Sequence, residues 1–282
     1  MKIYYLSSSG DEIHLNKWPI MVSNQAEIFE NEWAYEYDSM SGINGVKITS
    51  FNKKLAEKDL KLEVFADSEE HYASIVESFH ESCEKDIINL TPGKLFVNNY
   101  YIQCYISGSQ YGEYDENFYA VEKTISIVTE YPFWCQDVVT SFYKKEEALL
   151  DGETLDYPRV YPYDYKRSDD AGSNLLNNHY APCDFQMCIQ GACVEPDITI
   201  GGHLYEVKTT VSDNEYLIID SRFNTVKKYD KYGNEFDVFN SRNKESDLFQ
   251  KIPVGNSLTV WSGEFSFDVT LFYERSEPKW TL

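Results

Sequence analysis

Arginine is absent from the first 140 residues, which hold only 10 lysines against 23 carboxylates. Residues 141–282 add 15 basic and 24 acidic side chains, and the whole chain carries a formal net charge of −22. A nucleic-acid partner would need clustered Lys and Arg to displace counterions from phosphates, and neither half offers that footprint. Long apolar runs are also missing. Nothing reaches the roughly 18 residues of a membrane span, and Met1–Leu6 begins like a strand, without the basic and apolar regions of a secretory leader. Histidine is scarce: the five are His14, His71, His80, His179 and His203, and none stands in HExxH spacing. His71 and His80 are nine positions apart, about 180° around a shared helix, so they cannot converge on one ion. No GxSxG elbow and no phosphate-cradling glycine loop occurs. The six cysteines form no CxxC pair. Cys183, Cys188 and Cys193 are spaced by five, an odd interval that sends successive side chains of a strand to opposite faces. They read as small buried thiols rather than as zinc ligands or disulfides. No metal, cofactor or catalytic centre is expected.

What the chain has in quantity is aromatic rings: 23 Tyr, 16 Phe and 5 Trp in 282 residues. These residues favour strands and contact surfaces, so the composition points to β-sheets and partners. Paired carboxylates could suggest a glycosidase. With 47 acids in the chain, however, close pairs arise by chance and carry no information.

The first part reads as strands and loops. Trp18–Ile20 and Trp33–Tyr37 are short aromatic stretches, Met40–Gly45 is a Gly/Asn/Ser-rich turn, and Leu60–Phe65 alternates like a half-buried strand. One helix stands out. Asp67 with Glu70 is a candidate capping box. Tyr72, Ile75, Val76, Phe79, Cys83 and Ile87 then recur at helical spacing, opposite Glu70, Ser74, Glu77, Glu81 and Glu84. Thr91-Pro92-Gly93 ends it. A hairpin follows, Lys94–Val97 and Tyr100–Ile106 about an Asn98-Asn99 turn. Next comes an alternating strand over 119–129, and then Pro132-Phe133-Trp134.

Residues 141–182 change character. Tyr157, Tyr161, Tyr163 and Tyr165 are interleaved with Pro158 and Pro162, an extended connector or arm whose tyrosines are candidate contacts. From Cys183 onward, short strands separated by turns predict a sandwich. Phe265, Phe267, Val269, Leu271 and Tyr273 would face one core. Domains are therefore expected at 1–140 and 183–282, with a connector at 141–182. A sugar site on the second domain would use Trp261 as a stacking platform and Asn240, Arg242 and Asn243 as hydrogen-bonding partners. The competing reading places Trp261 in the sandwich core.

Ile198–Val207, Glu215–Asp220, Lys228–Gly233, Asn240–Asn243, Ile252–Asn256 and the closing Glu274–Trp280 follow one another in an order that resembles the distal tail protein (Dit) family of long-tailed bacteriophages. The match is to the galectin-like C-terminal domain of that family. Pro92–Tyr101 after a helix, then a strand ending in Pro132-Phe133-Trp134, resembles its ring-forming N-terminal domain. The resemblance implies a mainly β protein: an N-terminal ring-forming β domain with one packed α-helix, plus a C-terminal galectin-like β-sandwich. It implies a hexameric ring at the distal end of the tail in the virion, assembled in the bacterial host cytoplasm. Expected partners are other copies of itself, the tail tube protein, a tail tip or tail-associated lysin protein, and receptor-binding or fibre proteins. The face of Glu70, Glu77, Glu81 and Glu84 reads by itself as a solvated face; in such a ring it would line the channel or a subunit contact, and the acidic, arginine-free N-terminal half would repel passing DNA. A lectin-like carbohydrate-binding protein is the alternative, as is the equivalent hub of a phage-derived bacteriocin particle.

Overall fold

The computed structural model describes residues 1–39, 41–42, 44–115, 120–144 and 174–279, apart from the side chains at 113–115. It is mainly β, as the alternation and the aromatic content predict. Two compact units are present: Met1–Gln136 with Glu274–Leu282, and Asp137–Tyr273. This division differs from the expected one at both ends of the second domain. Phe142 stacks on Phe267 at 4.6 Å, which ties the residues after Gln136 to the second unit. The last residues group with the first unit, where Tyr131 donates to Glu274 Oε2 at 2.8 Å and Asn31 donates to Glu277.

The first unit runs β1 (Ile3–Leu6), β2 (Glu12–His14), β3 (Asn16–Lys17), β4 (Ile20–Val22), α1 (Ala26–Phe29), β5 (Ala34–Asp38), β6 (Lys47–Asn52), β7 (Ala56–Phe65), α2 (Glu69–Ile88), β8 (Gly93–Val97), β9 (Tyr100–Asp115), β10 (Ala120–Thr129) and the start of β11 (Trp134–Phe142). All pairing is antiparallel: β1 lies between β2 and β8, β8 joins β9, and β10 is flanked by β9 and β7, with β4 and β3 beyond β7. The alternation read in β7 is real, with Leu60, Leu62 and Val64 buried and Lys61 and Glu63 exposed. The β8–β9 hairpin turns where expected, and Asn98 takes the left-handed φ of 53° that such a turn needs. The short α1 was not anticipated. Its last carbonyls are satisfied by Lys58, whose ammonium donates to the backbone oxygens of Glu27 and Ile28 at 3.0 Å and to that of Glu30.

Helix α2 forms one residue out of step with the predicted cap. Ser68 is the N-cap: its backbone is extended and its Oγ accepts from the His71 N–H at 3.1 Å, so the Asp67/Glu70 box does not form. Val76, Phe79 and Cys83 are buried and Tyr72 and Ile75 pack beside them, but Ile87 is exposed. Asp86 takes the buried place in that last turn instead. The helix closes in a Schellman motif, with Thr91 N–H on Asp86 O at 3.0 Å and Leu90 N–H on Ile87 O at 3.1 Å.

The second unit takes up the end of β11 and continues with β12 (Asn174–Asn177), β13 (Phe185–Gln190), β14 (Cys193–Val194), β15 (Asp197–Ile200), β16 (His203–Glu206), β17 (Thr210–Val211), β18 (Tyr216–Asp220), β19 (Thr225–Tyr229), β20 (Glu235–Asp237), β21 (Gly255–Trp261) and most of β22 (Phe267–Arg275). One sheet is ordered β20-β19-β18-β13-β22 and the other β12-β21-β15-β16, while β14 and β17 form a small ribbon. Phe185, Met187, Ile189, Leu217, Ile219, Phe267, Val269 and Leu271 of the first sheet share one core with Leu175, Ile198, Ile200 and Tyr205 of the second. That is a sandwich, two sheets burying their inner faces against each other. None of the six cysteines is joined in a disulfide, and four of them are buried. Burial pushes the Cys83 and Cys104 thiols up to about 12, so neither is a reactive thiolate at neutral pH.

Candidate interaction surfaces

Glu70, Glu77, Glu81 and Glu84 are all exposed on α2. At about 100° per residue they fall within one narrow stripe, roughly 60° wide. Glu81 pairs with Lys85 at 2.9 Å, an i,i+4 contact on the same side. No metal-holding group of three or more His, Cys, Asp or Glu occurs among the described residues.

The opposite face of the helix hides two charges that sequence reasoning missed. Asp86 is fully buried, and it accepts from the Tyr5 hydroxyl at 2.6 Å and from the Ser8 N–H and hydroxyl at 2.8 and 2.6 Å. Lys123 of β10 is 1% exposed, with its ammonium 2.7 Å from His80 Nε2 and 4.2 Å from the Tyr111 ring centre. An ammonium has no acceptor, so it donates and the imidazole nitrogen must be unprotonated. Burial, then the neighbouring Lys123 charge, holds the His80 pKa below its ordinary value. The unfolded chain takes up the proton at about pH 6.5 while the folded one resists it, so stability is lost as pH falls through about 6.5. The melting temperature should drop between about pH 7.5 and about pH 5.5, and His80→Gln, which can still accept from Lys123, should flatten that slope. Equal slopes in the two proteins would show that His80 does not carry the effect.

An exposed apolar feature of the first unit is the β5–β6 ribbon, which pairs with no other strand among the described residues. Tyr35 lies opposite Phe51 and Tyr37 opposite Ile48, so these four share one face. They remain 47–58% exposed. Glu36 and Ser50 sit on the other face, joined by a 3.1 Å hydrogen bond. The root of the ribbon is held firmly. Lys53 lies over the rings of Trp33 and Phe133, at 5.2 and 4.9 Å, and donates to Pro132 O at 3.2 Å. Sequence reading noticed Trp33–Tyr37 and the glycine turn but did not join them to Val46–Phe51 as one hairpin. Val46-Lys47-Ile48 alternates, but an irregularity in the pairing puts Phe51 out of phase with it, which hid the hairpin.

In the second unit the structure separates the proposed sugar-site residues. Trp261 is opposite Ile198, which is opposite the buried Tyr205, so its indole shares the inner face of the sheet. It makes edge contacts with Phe142 and Phe267, and its N–H donates to Phe265 O at 3.1 Å. Asn243 is held at the other face, donating to Glu206 Oε2 at 2.6 Å. The Arg242 guanidinium lies 3.9 Å from the Phe239 ring centre and donates to the Phe239 carbonyl at 3.0 Å. Asn240 is exposed in a short 3-10 turn, Phe239–Ser241. Tyr157, Tyr161, Tyr163 and Tyr165 lie outside the described residues.

No family model matches this sequence, and no curated protein matches it. Its fold, by contrast, matches solved proteins from end to end. The fold is shared with chains of solved phage baseplate and adsorption-apparatus structures. A chain of the phage p2 baseplate in its activated conformation with Sr aligns over 98% of both chains at 13% identity, with a TM-score of 0.60. The phage P2 baseplate in its activated conformation with Ca gives 0.59 at 12% identity, over 98% of this chain and 99% of that one. More particularly, the SPP1 Dit protein (gp 19.1), described as a paradigm of the hub adsorption apparatus in phages infecting Gram-positive bacteria, aligns over 97% of this chain. It is covered over 98% of its own length at 12% identity, with a TM-score of 0.57. The chain has a Dit-like fold.

Proposed function

We propose that this protein is a structural hub of a phage tail tip or baseplate, whose function lies in its interfaces rather than in chemistry. The observation that carries this reading is the match to Dit and baseplate chains across both units, with almost no sequence left over on either side. In this reading the first unit builds a hexameric ring at the distal end of the tail tube, and the galectin-like second unit faces outward. The ring would connect the tail tube protein to tip or tail-associated lysin proteins and to receptor-binding or fibre proteins. It would reside in the virion after assembly in the bacterial host cytoplasm. The same part could serve a phage-derived particle. The inward-facing Trp261 argues against a stand-alone lectin built on that residue.

Mass in solution tests the ring. At micromolar concentration the purified protein should reach six times its 32.8 kDa chain mass, alone or with its tail neighbours. A strict monomer under both conditions overturns the ring.

A further inference from the structure

We infer that residues 276–279 are a strap that locks the root of the β5–β6 ribbon and can lift while the first unit stays folded. Strand β22 ends at Arg275, and Pro278 has no N–H with which to extend the ladder. The end of the strand is fixed to the first unit, where Glu274 Oε2 accepts from the Tyr131 hydroxyl at 2.8 Å and Arg275 bonds the Tyr100 hydroxyl. A short polar segment beyond it should trail into solvent. Instead Pro278 is buried, and Glu277 Oε1 accepts from the Asn31 amide at 2.5 Å.

These contacts converge on one place. Asn31 and Trp33 lead into β5, and Lys53 follows directly on β6, so they are the two feet of the ribbon. The Trp33 ring meets Phe133 edge-on at 5.7 Å, and Lys53 lies over both rings. Tyr131, which Glu274 holds, packs against Phe133 at 5.0 Å. Glu277 acts on the second foot as well: burial pushes the Lys53 pKa down, and the Glu277 charge works against that shift. The strap therefore reaches the first foot through Asn31 and the second through Lys53. Among the described residues β5 and β6 pair only with each other, so the ribbon takes its orientation from these feet.

The hold is suited to opening. The bond from Asn31 to Glu277 lies at an exposed site, where water replaces a lost partner at little cost. Glu277 and Lys279 are exposed, and Pro278 is the one buried residue of 276–279. Segments with few buried apolar contacts and solvent-exposed bonds open locally, without global unfolding. Lifting this one cuts the tie to Asn31 and takes the Glu277 charge away from Lys53. The stack of Trp33, Lys53 and Phe133 then holds the ribbon alone, and the exposed face of Tyr35, Tyr37, Ile48 and Phe51 is free to change direction. Seated or lifted, the strap decides how that face is presented.

Amide hydrogen exchange of the full-length protein tests the strap. Glu277→Ala removes both the bond to Asn31 and the charge beside Lys53. The position is exposed, so circular dichroism and melting should stay near wild type. The amides of β5 and β6 should exchange about 10-fold faster than in wild type, as loss of one hydrogen bond to a charged group predicts, with β7 and β10 unchanged. Asn31→Ala should reproduce most of that gain, and joining the two substitutions should add little, since both cut the same tie. Ribbon amides that keep wild-type rates in both variants would overturn the lock. Acceleration shared equally by β7 and β10, or unfolding of the unit by Glu277→Ala, would overturn the separate lifting of the strap. The lock is a property of one chain, so it stands or falls apart from the ring.

Discussion

Replacing Asp86 with alanine should cost the first unit about 3 kcal/mol, read as a lowered midpoint in urea at unchanged slope. The carboxylate is fully buried and accepts three hydrogen bonds from a segment nearly 80 residues away: the Tyr5 hydroxyl, the Ser8 N–H and the Ser8 hydroxyl. Alanine would strand the buried Tyr5 hydroxyl, at about 1–3 kcal/mol, while the exposed Ser8 donors turn to water and lose only their charge-assisted bonds. Tyr5 is itself fully buried, and its acidity is suppressed first by that burial and then by the bond to Asp86, so it remains a donor. The geometry leaves no slack. A Cβ at Gly93 would lie 2.2 Å from the Tyr5 oxygen and 2.8 Å from Asp86 Oδ2, so only glycine at the start of β8 leaves room for the bond. Asp86→Asn should lose about half as much, since one amide face still accepts while the other opposes a donor. A loss under about 1 kcal/mol for Asp86→Ala would mean that water replaces the carboxylate at little cost, and the latch would not hold helix to strand.

Much of the fold was legible because its signals are local. The stripe of Val76, Phe79 and Cys83 placed the helix, and the alternation of Phe185, Met187 and Ile189 placed a core strand. What stayed hidden depends on partners far along the chain. Asp86 reads as solvated charge until Tyr5 and Ser8 are seen to close over it, and Lys123 does so until His80 is found beside it. Ile87 kept the helical spacing but fell beyond the surface the helix covers, so periodicity alone misplaced it. The candidate sites fared differently. Periodicity put Glu70, Glu77, Glu81 and Glu84 on one exposed stripe, as expected. Trp261 and Asn243 were grouped by residue type alone, and the sheet sends them to opposite faces. The ribbon was half legible. Tyr35 and Tyr37 alternate with Glu36 and Asp38, but Phe51 follows Ile48 by three residues, and only an irregularity in the pairing brings it onto the same face.

The second unit should prove most sensitive at Phe267. Its ring is 1% exposed, stacks on Phe142 at 4.6 Å with an 8° interplanar angle, and meets the edge of Trp261 at 5.4 Å. The residue thus joins β22, the end of β11 and β21 through one side chain. Phe267→Ala removes the transfer free energy of a buried ring and leaves a cavity that these rigid neighbours cannot fill, for an expected loss of about 3–5 kcal/mol. Phe267→Leu, which keeps most of the volume, should cost about 1–2 kcal/mol, chiefly the lost ring geometry. Denaturant unfolding followed by tryptophan emission, with Trp261→Phe as the reference that assigns the signal, measures both. If leucine cost nothing, the stack would contribute nothing beyond filled space, and if alanine cost no more than leucine, the cavity term would be absent. If the first unit alone builds the proposed ring, a Phe267→Ala protein kept below its melting temperature should still assemble as wild type does. Loss of assembly without unfolding would instead mean that second-unit packing also controls the contact between copies.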